Sequence, residues 1–123
     1  MCMNTKEVTY GSQIANKRFF IKRITETGVK SNYIGFFYLV LIMDLLINKG
    51  YKAKCFYKNI YPIVAKKYNK SVCTVERNIR SLIDKSWENI CSVCLICKQD
   101  KFAKPTCCGF ITSIKNYILS CLN

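Results

Sequence analysis

Histidine is absent from the 123 residues, and the sequence holds only seven Asp and Glu, five glycines and two prolines. Each scarcity excludes something. Without an imidazole there is no Ser-His or Cys-His catalytic pair and no Cys₂His₂ zinc finger. The reading is of a non-enzymatic chain that needs no cofactor. The two prolines, Pro62 and Pro105, do not mark an interdomain linker, and no internal repeat or low-complexity tract is present. Seven acids against twenty Lys and Arg leave a formal charge of +13. Half of the residues are hydrophobic, so this is no disordered basic tail. A folded, strongly basic chain of this length makes one domain with a modest core, and its charge points to a polyanion, either nucleic acid or an anionic membrane surface.

Cysteine is the residue in excess: nine, an odd number. That density suggests a secreted disulfide scaffold, but Met1 to Tyr10 is polar and lacks the apolar stretch of a signal peptide. The expectation is therefore a cytoplasmic chain with reduced thiols, many of them acting as small core residues.

Residues 1–16 read as a polar N-terminal arm, and residues 17–123 as one domain. From Asn16 to Glu26, Phe19, Phe20 and Ile24 share one side of a helical pattern, with Lys17, Lys22 and Arg23 on the other and Gly28 placed to end it. Ser31 or Asn32 can cap the next helix, Tyr33 to Ile47, which is apolar on nearly every side and so should be central. It is shorter than the roughly 20 residues a bilayer needs, and Asp44 interrupts it, which argues against a membrane span. A Lys- and aromatic-rich connection covers Lys49 to Lys58. Helices are expected over Asn59 to Tyr68 and Val72 to Glu88, then a cysteine-rich irregular stretch from Asn89 to Ala103. The last helix follows Pro105-Thr106 with Phe110, Ile111, Ile114, Ile118 and Leu119 as its apolar stripe. No strand alternation is found. The fold class is all-α, a compact bundle of five to six helices.

Residues 59–88 carry the pattern of a helix-turn-helix. Ala65 supplies the small residue where two helices cross, and Asn69 tolerates the left-handed turn four positions later. Ser71 stands at the N-cap of the second helix, and Val75 points back onto the first. Val75, Ile79, Leu82, Ile83, Ser86 and Trp87 form a buried stripe on that helix. Thr74, Arg77, Ser81 and Asp84 point the opposite way, with Arg80 at the border. Arg can grip guanine through O6 and N7, and Thr and Ser fit thymine methyls or phosphates. An ordinary solvated face with a Glu76–Arg80 ion pair is the plainer reading of the same residues. Charge placement favours DNA: from Lys49 to Arg80, seven Lys and two Arg face one acid, Glu76. Lys66, Lys67, Lys70 and Ser71 flank the turn, where they can hold the phosphate backbone.

The run Ile60-Tyr-Pro-Ile-Val-Ala-Lys-Lys-Tyr-Asn69, followed by Val75-Glu-Arg-Asn-Ile-Arg80 and Trp87, closely resembles the C-terminal effector domain of the stage-zero sporulation master regulator of endospore-forming Firmicutes. The resemblance extends from about Arg23 to the C-terminus, through Ile24-Thr25, Gly28-Val29, Tyr38-Leu39, Lys104-Pro-Thr106 and Phe110-Ile111. It implies a six-helix bundle whose helix-turn-helix binds short TGTCGAA-like boxes in double-stranded DNA, often as tandem homodimers. It also implies that Glu76, Arg77 and Arg80 approach the bases, and it names the RNA polymerase sigma subunit as a partner. The sequence departs from the family pattern in three places. The segment before the effector domain is too short for the usual phosphoacceptor receiver. Thr74 stands where the family often has Arg, and the connection from Trp87 to Lys104 is shorter and cysteine-rich.

That connection supports a rival reading. Cys91, Cys94 and Cys97 repeat every three residues and Cys107-Cys108 follow, so four thiolates could hold Zn²⁺; the same cysteines serve equally as a packing stripe. Cys73, at the start of the second helix, is a further thiol whose oxidation would obstruct DNA. The leading expectation is a sequence-specific DNA-binding transcription regulator, nucleoid-associated when bound. The alternatives are a small basic membrane-surface or cysteine-metal adaptor, and a receiver-less decoy competing for the same boxes.

Overall fold

The computed structural model describes residues 16–93 and 104–122. These form six α-helices and one π-helical turn, with no strand among them: α1 Lys17–Glu26, α2 Ile34–Met43, the π turn Asp44–Asn48, α3 Phe56–Asn59, α4 Tyr61–Tyr68, α5 Val72–Val93 and α6 Cys107–Leu122. The all-α bundle is as expected. Residues 1–15 of the arm lie outside the described residues, as do Cys94, Cys97 and the rest of 94–103.

Asn16 caps α1 through its side chain, which accepts from the Phe19 amide, and Gly28 turns the chain at φ +98° just beyond the helix end. Phe20 and Ile24 reach the core, while Phe19 is half-buried. At α2 the expected side-chain cap is corrected: Tyr33 is the N-cap residue, and no side-chain hydrogen bond closes the helix start. Burial substitutes for capping, since seven of the ten residues of α2 are buried, and packing supplies most helix stability in a folded domain. The single helix expected over 33–47 is also corrected. It widens at Asp44, where the Lys49 amide bonds back five residues to the Asp44 carbonyl and the Asn48 side chain donates to Asp44 Oδ1. The wider turn leaves the adjacent Leu45 and Leu46 both buried.

The Lys- and aromatic-rich connection contains α3, with Phe56 buried against Tyr61 in a stacked ring pair. So α4 begins at Tyr61 and not at Asn59, with Pro62 in its first turn, where a missing N–H costs nothing.

Helix α5 is the largest correction. It continues past Glu88 to Val93 and takes in Cys91, because the apolar register continues: Ile90 falls one turn beyond Ser86 and is fully buried. Val75, Ile79, Leu82, Ile83 and Ser86 are buried as the periodicity predicts; Trp87 is only partly so. Ser86 keeps its place in the core because its hydroxyl accepts the Lys30 amide at 3.0 Å. On α6, Phe110, Ile111, Ile114 and Ile118 are buried, but Leu119 faces solvent and leaves the predicted stripe.

The packing centres on α2 and α5, which share the most extensive interface of the bundle. Two glycines set their separation. A Cβ at Gly35 would lie 2.5 Å from the Asn78 carbonyl oxygen, and one at Gly28 would lie 2.7 Å from the Asn89 carbonyl. The backbone of α5 thus rests directly on the α1–α2 corner at two points. On the far side, the Tyr117 hydroxyl of α6 donates to Glu26, which also pairs with Arg23 at 2.9 Å, tying α6 to α1. None of the described helices is long and apolar enough to cross a membrane.

Candidate nucleic-acid interface

The turn between α4 and α5 has the predicted stereochemistry. Ala65 is buried where α4 meets the bundle, and Asn69 ends α4 in the left-handed conformation at φ 56° and ψ 48°. The Lys70 amide then returns to the Ala65 carbonyl at 2.8 Å, satisfying an otherwise orphaned C-terminal acceptor. Ser71 Oγ accepts the Thr74 amide at 3.1 Å, and its own proton goes to Thr74 Oγ1 at 2.9 Å. This is an N-cap, and it fixes both the start and the rotation of α5. Val75 is fully buried, locking that rotation.

With its apolar side held on α2, α5 turns Cys73, Arg77, Arg80 and Asp84 to solvent, at spacings of four, three and four residues. Thr74 and Ser81 are half-buried at the edge of this stripe, as is Glu76. The two arginines differ in their engagements. Arg80 pairs with Glu76 Oε2 at 3.2 Å and lies near the Cys107 thiol at the start of α6, where its charge favours the thiolate against the effect of burial. Arg77 is exposed and makes no ion pair among the described residues. The plain ion pair anticipated for Glu76 and Arg80 is therefore formed, and it leaves Arg77 as the uncommitted guanidinium of the face. Asp84, farther along, pairs with Lys104 at 3.2 Å.

Lys66, Lys67 and Lys70 are all exposed around the turn. Lys66 and Lys67 also occupy the last turn of α4, where positive charge offsets the helix dipole. A groove of about 230 Å³ opens beside Lys67, floored by Phe20, Phe37, Val40, Leu41 and Tyr68.

Two neighbours of the face were missed by periodicity. Tyr57, exposed on α3, has its hydroxyl 3.1 Å from Cys73 Sγ, on the first turn of α5. The thiol's hydrogen bond and its negative charge when ionised both hold the Tyr57 hydroxyl in its protonated form, raising its pKa. Cys107 is the other, and burial pushes its thiol pKa up. The aromatic-rich run at 51–61 was the available signal for the first; nothing in the spacing of Arg80 and Cys107 announces the second.

The described cysteines, Cys55, Cys73, Cys91, Cys107, Cys108 and Cys121, form no disulfide with one another, and no group of three or more metal-competent side chains occurs among the described residues. Cys91 and Cys107 lie on different helices, α5 and α6. Cys94 and Cys97 fall outside the described residues.

The protein-family model for sporulation initiation factor Spo0A, C terminal, matches residues 20–118. The match spans most of the chain, including every helix of the interface, and the chain belongs to this family of DNA-binding sporulation-regulator effector domains.

Proposed function

We propose that this member of the Spo0A C-terminal family lays the exposed stripe of α5 in the major groove of a TGTCGAA-like box. Arg77 supports the reading most directly, being an exposed guanidinium without an ion-pair partner on the described surface, centred on a helix whose register Ser71 and Val75 fix. A guanidinium so placed can pair with guanine O6 and N7 at little cost, since it gives up no intramolecular partner. Arg80 would read a second base while exchanging or sharing its bond to Glu76, and Glu76 would orient it or accept from a cytosine amine. Thr74 and Ser81 border the stripe and would contact thymine methyls or sugar-phosphate.

Lys66, Lys67 and Lys70 would hold the backbone beside the turn, with Ser71 acting there through the helix start it caps. Residues 17–123 would serve as the DNA-binding unit. Tandem homodimers on adjacent boxes and contact with the polymerase sigma subunit complete the proposed mode of action.

Fluorescence anisotropy with the box duplex and a scrambled duplex of equal length, at one fixed salt concentration, tests this reading. The intact chain should prefer the box. Arg77→Ala should lose about 1–3 kcal/mol on the box alone, whereas Lys67→Ala should weaken both duplexes alike. Equal losses on both duplexes for both variants would refute the division of roles.

A further inference from the structure

Beyond the turn lysines, a second concentration of charge borders the first turn of α5. Lys52, Lys54 and Lys58 are all exposed on the segment that leads through α3, and no acid occurs from Lys49 to Val75. The segment is held against the bundle at three points. The Tyr51 amide bonds the Leu45 carbonyl at 3.0 Å, and Phe56 is buried against Tyr61. The third point is Tyr57, whose ring packs edge-on against Tyr61 while its hydroxyl meets Cys73. Cys55 takes a left-handed conformation at φ 53°, bending the chain sharply into α3.

Cys73 belongs to the same exposed stripe as Arg77, one helical turn away. Tyr57 is therefore a lateral neighbour of that stripe, beyond its N-terminal end, and the three lysines are carried on the segment it anchors. Such a feature has the chemistry of a phosphate-backbone contact. Lysines supply charge, and an exposed tyrosine hydroxyl held beside them can donate its proton to a phosphate oxygen.

We propose that the segment from Lys52 to Lys58 is a second DNA-binding element, in which Lys52, Lys54, Lys58 and the Tyr57 hydroxyl bind backbone phosphates flanking the box. This inference rests on the DNA-reading role of α5 and extends the footprint on the side of that helix's N-terminus. Cys73 is a positioning residue here: its sulfur, 3.1 Å from the Tyr57 oxygen, holds the phenol beside the first turn of α5.

The test is the salt dependence of binding by the whole chain. Dissociation constants on the box duplex with long flanks are measured across a series of NaCl concentrations for the unaltered chain and two triple variants. Lys52→Gln with Lys54→Gln and Lys58→Gln should flatten the plot of log K against log[NaCl] by about 2–3, each phosphate contact contributing about 0.9. The control, Lys22→Gln with Lys30→Gln and Lys85→Gln, removes equal charge from α1, the loop after it and the Tyr33 side of α5, and should leave the slope unchanged. Tyr57→Phe should weaken binding about threefold or more, and a duplex trimmed to the box should erase the effects of the Lys52 triple and of Tyr57→Phe.

An unchanged slope in the first triple, with the unaltered chain still preferring the box, overturns the second element alone. Equal flattening by both triples also overturns it, in favour of undirected charge. Failure of the unaltered chain to bind either box or scrambled duplex would overturn the role of α5 as well. Since all substituted side chains are exposed or half-exposed, unchanged helical circular dichroism should accompany every variant.

Discussion

Among the described helices, α2 and α5 pack most extensively against each other yet have opposite designs. Helix α2 is apolar almost all round and spends nearly every residue on packing; it has no capping side chain and no charged residue before Asp44. Helix α5 commits only one stripe, Val75 to Ile90, and leaves Cys73, Arg77, Arg80 and Asp84 in solvent. The first helix leaves only Ile34 and Phe37 exposed, and the second could not hold its position alone. Labour is thus divided: the orientation of the exposed arginines is set by the buried stripe from Val75 to Ile90 together with the Ser71 cap.

The packed side should carry the larger effects on substitution. Ile79→Ala removes a fully buried side chain from the seam and should destabilise the domain by about 2–5 kcal/mol in urea titration, with DNA binding lost as folding is lost. A loss near zero would mean that α5 does not depend on its stripe. Gly35→Ala forces a methyl to within 2.5 Å of the Asn78 carbonyl, so α5 must shift; a cost of about 1–3 kcal/mol is expected in the same titration. A Gly35→Ala variant as stable as its parent would show that the close approach does not set the helix position.

On the exposed side, Arg77→Ala should leave the urea midpoint unchanged while weakening the preference for the box by about 1–3 kcal/mol, separating reading from holding. Ser71→Ala removes the cap that fixes the rotation of α5 and should cost about 1 kcal/mol of stability. Smallest of all, Lys104→Gln breaks an ion pair whose members are both about half exposed, and should change thermal stability by well under 1 kcal/mol.

The sequence made the interface more legible than its supports. Ala65, Asn69, Ser71 and Val75 could be placed because a tight turn between helices restricts residue type at each position, so stereochemistry shows through composition. The buried stripe of α5 was equally plain in its periodicity. Its C-terminal end was not, because the run from Asn89 onward reads as a cysteine-rich irregular stretch, whereas Ile90 and Cys91 continue the helix.

Tertiary contact hid the rest. Nothing local distinguishes Gly35 from any glycine in an apolar run, since its requirement comes from the backbone of Asn78, 43 positions later. The π turn at Asp44 likewise leaves both Leu45 and Leu46 buried, an arrangement that a hydrophobicity pattern cannot specify. Tyr57 beside Cys73 joins two elements whose relative placement no periodicity encodes, and Arg80 beside Cys107 does the same between α5 and α6.

In the proposed division of roles, the exposed stripe of α5 reads bases while its buried stripe only positions it. Selection of bound sequences from a pool of randomised duplexes, at one defined salt concentration, tests it most directly when run in parallel with the unaltered chain and with Arg77→Ala. A TGTCGAA-like motif is expected for the unaltered chain, and the same motif with one guanine position relaxed for the variant. Identical motifs from both proteins, or no enrichment with the unaltered chain, would contradict it.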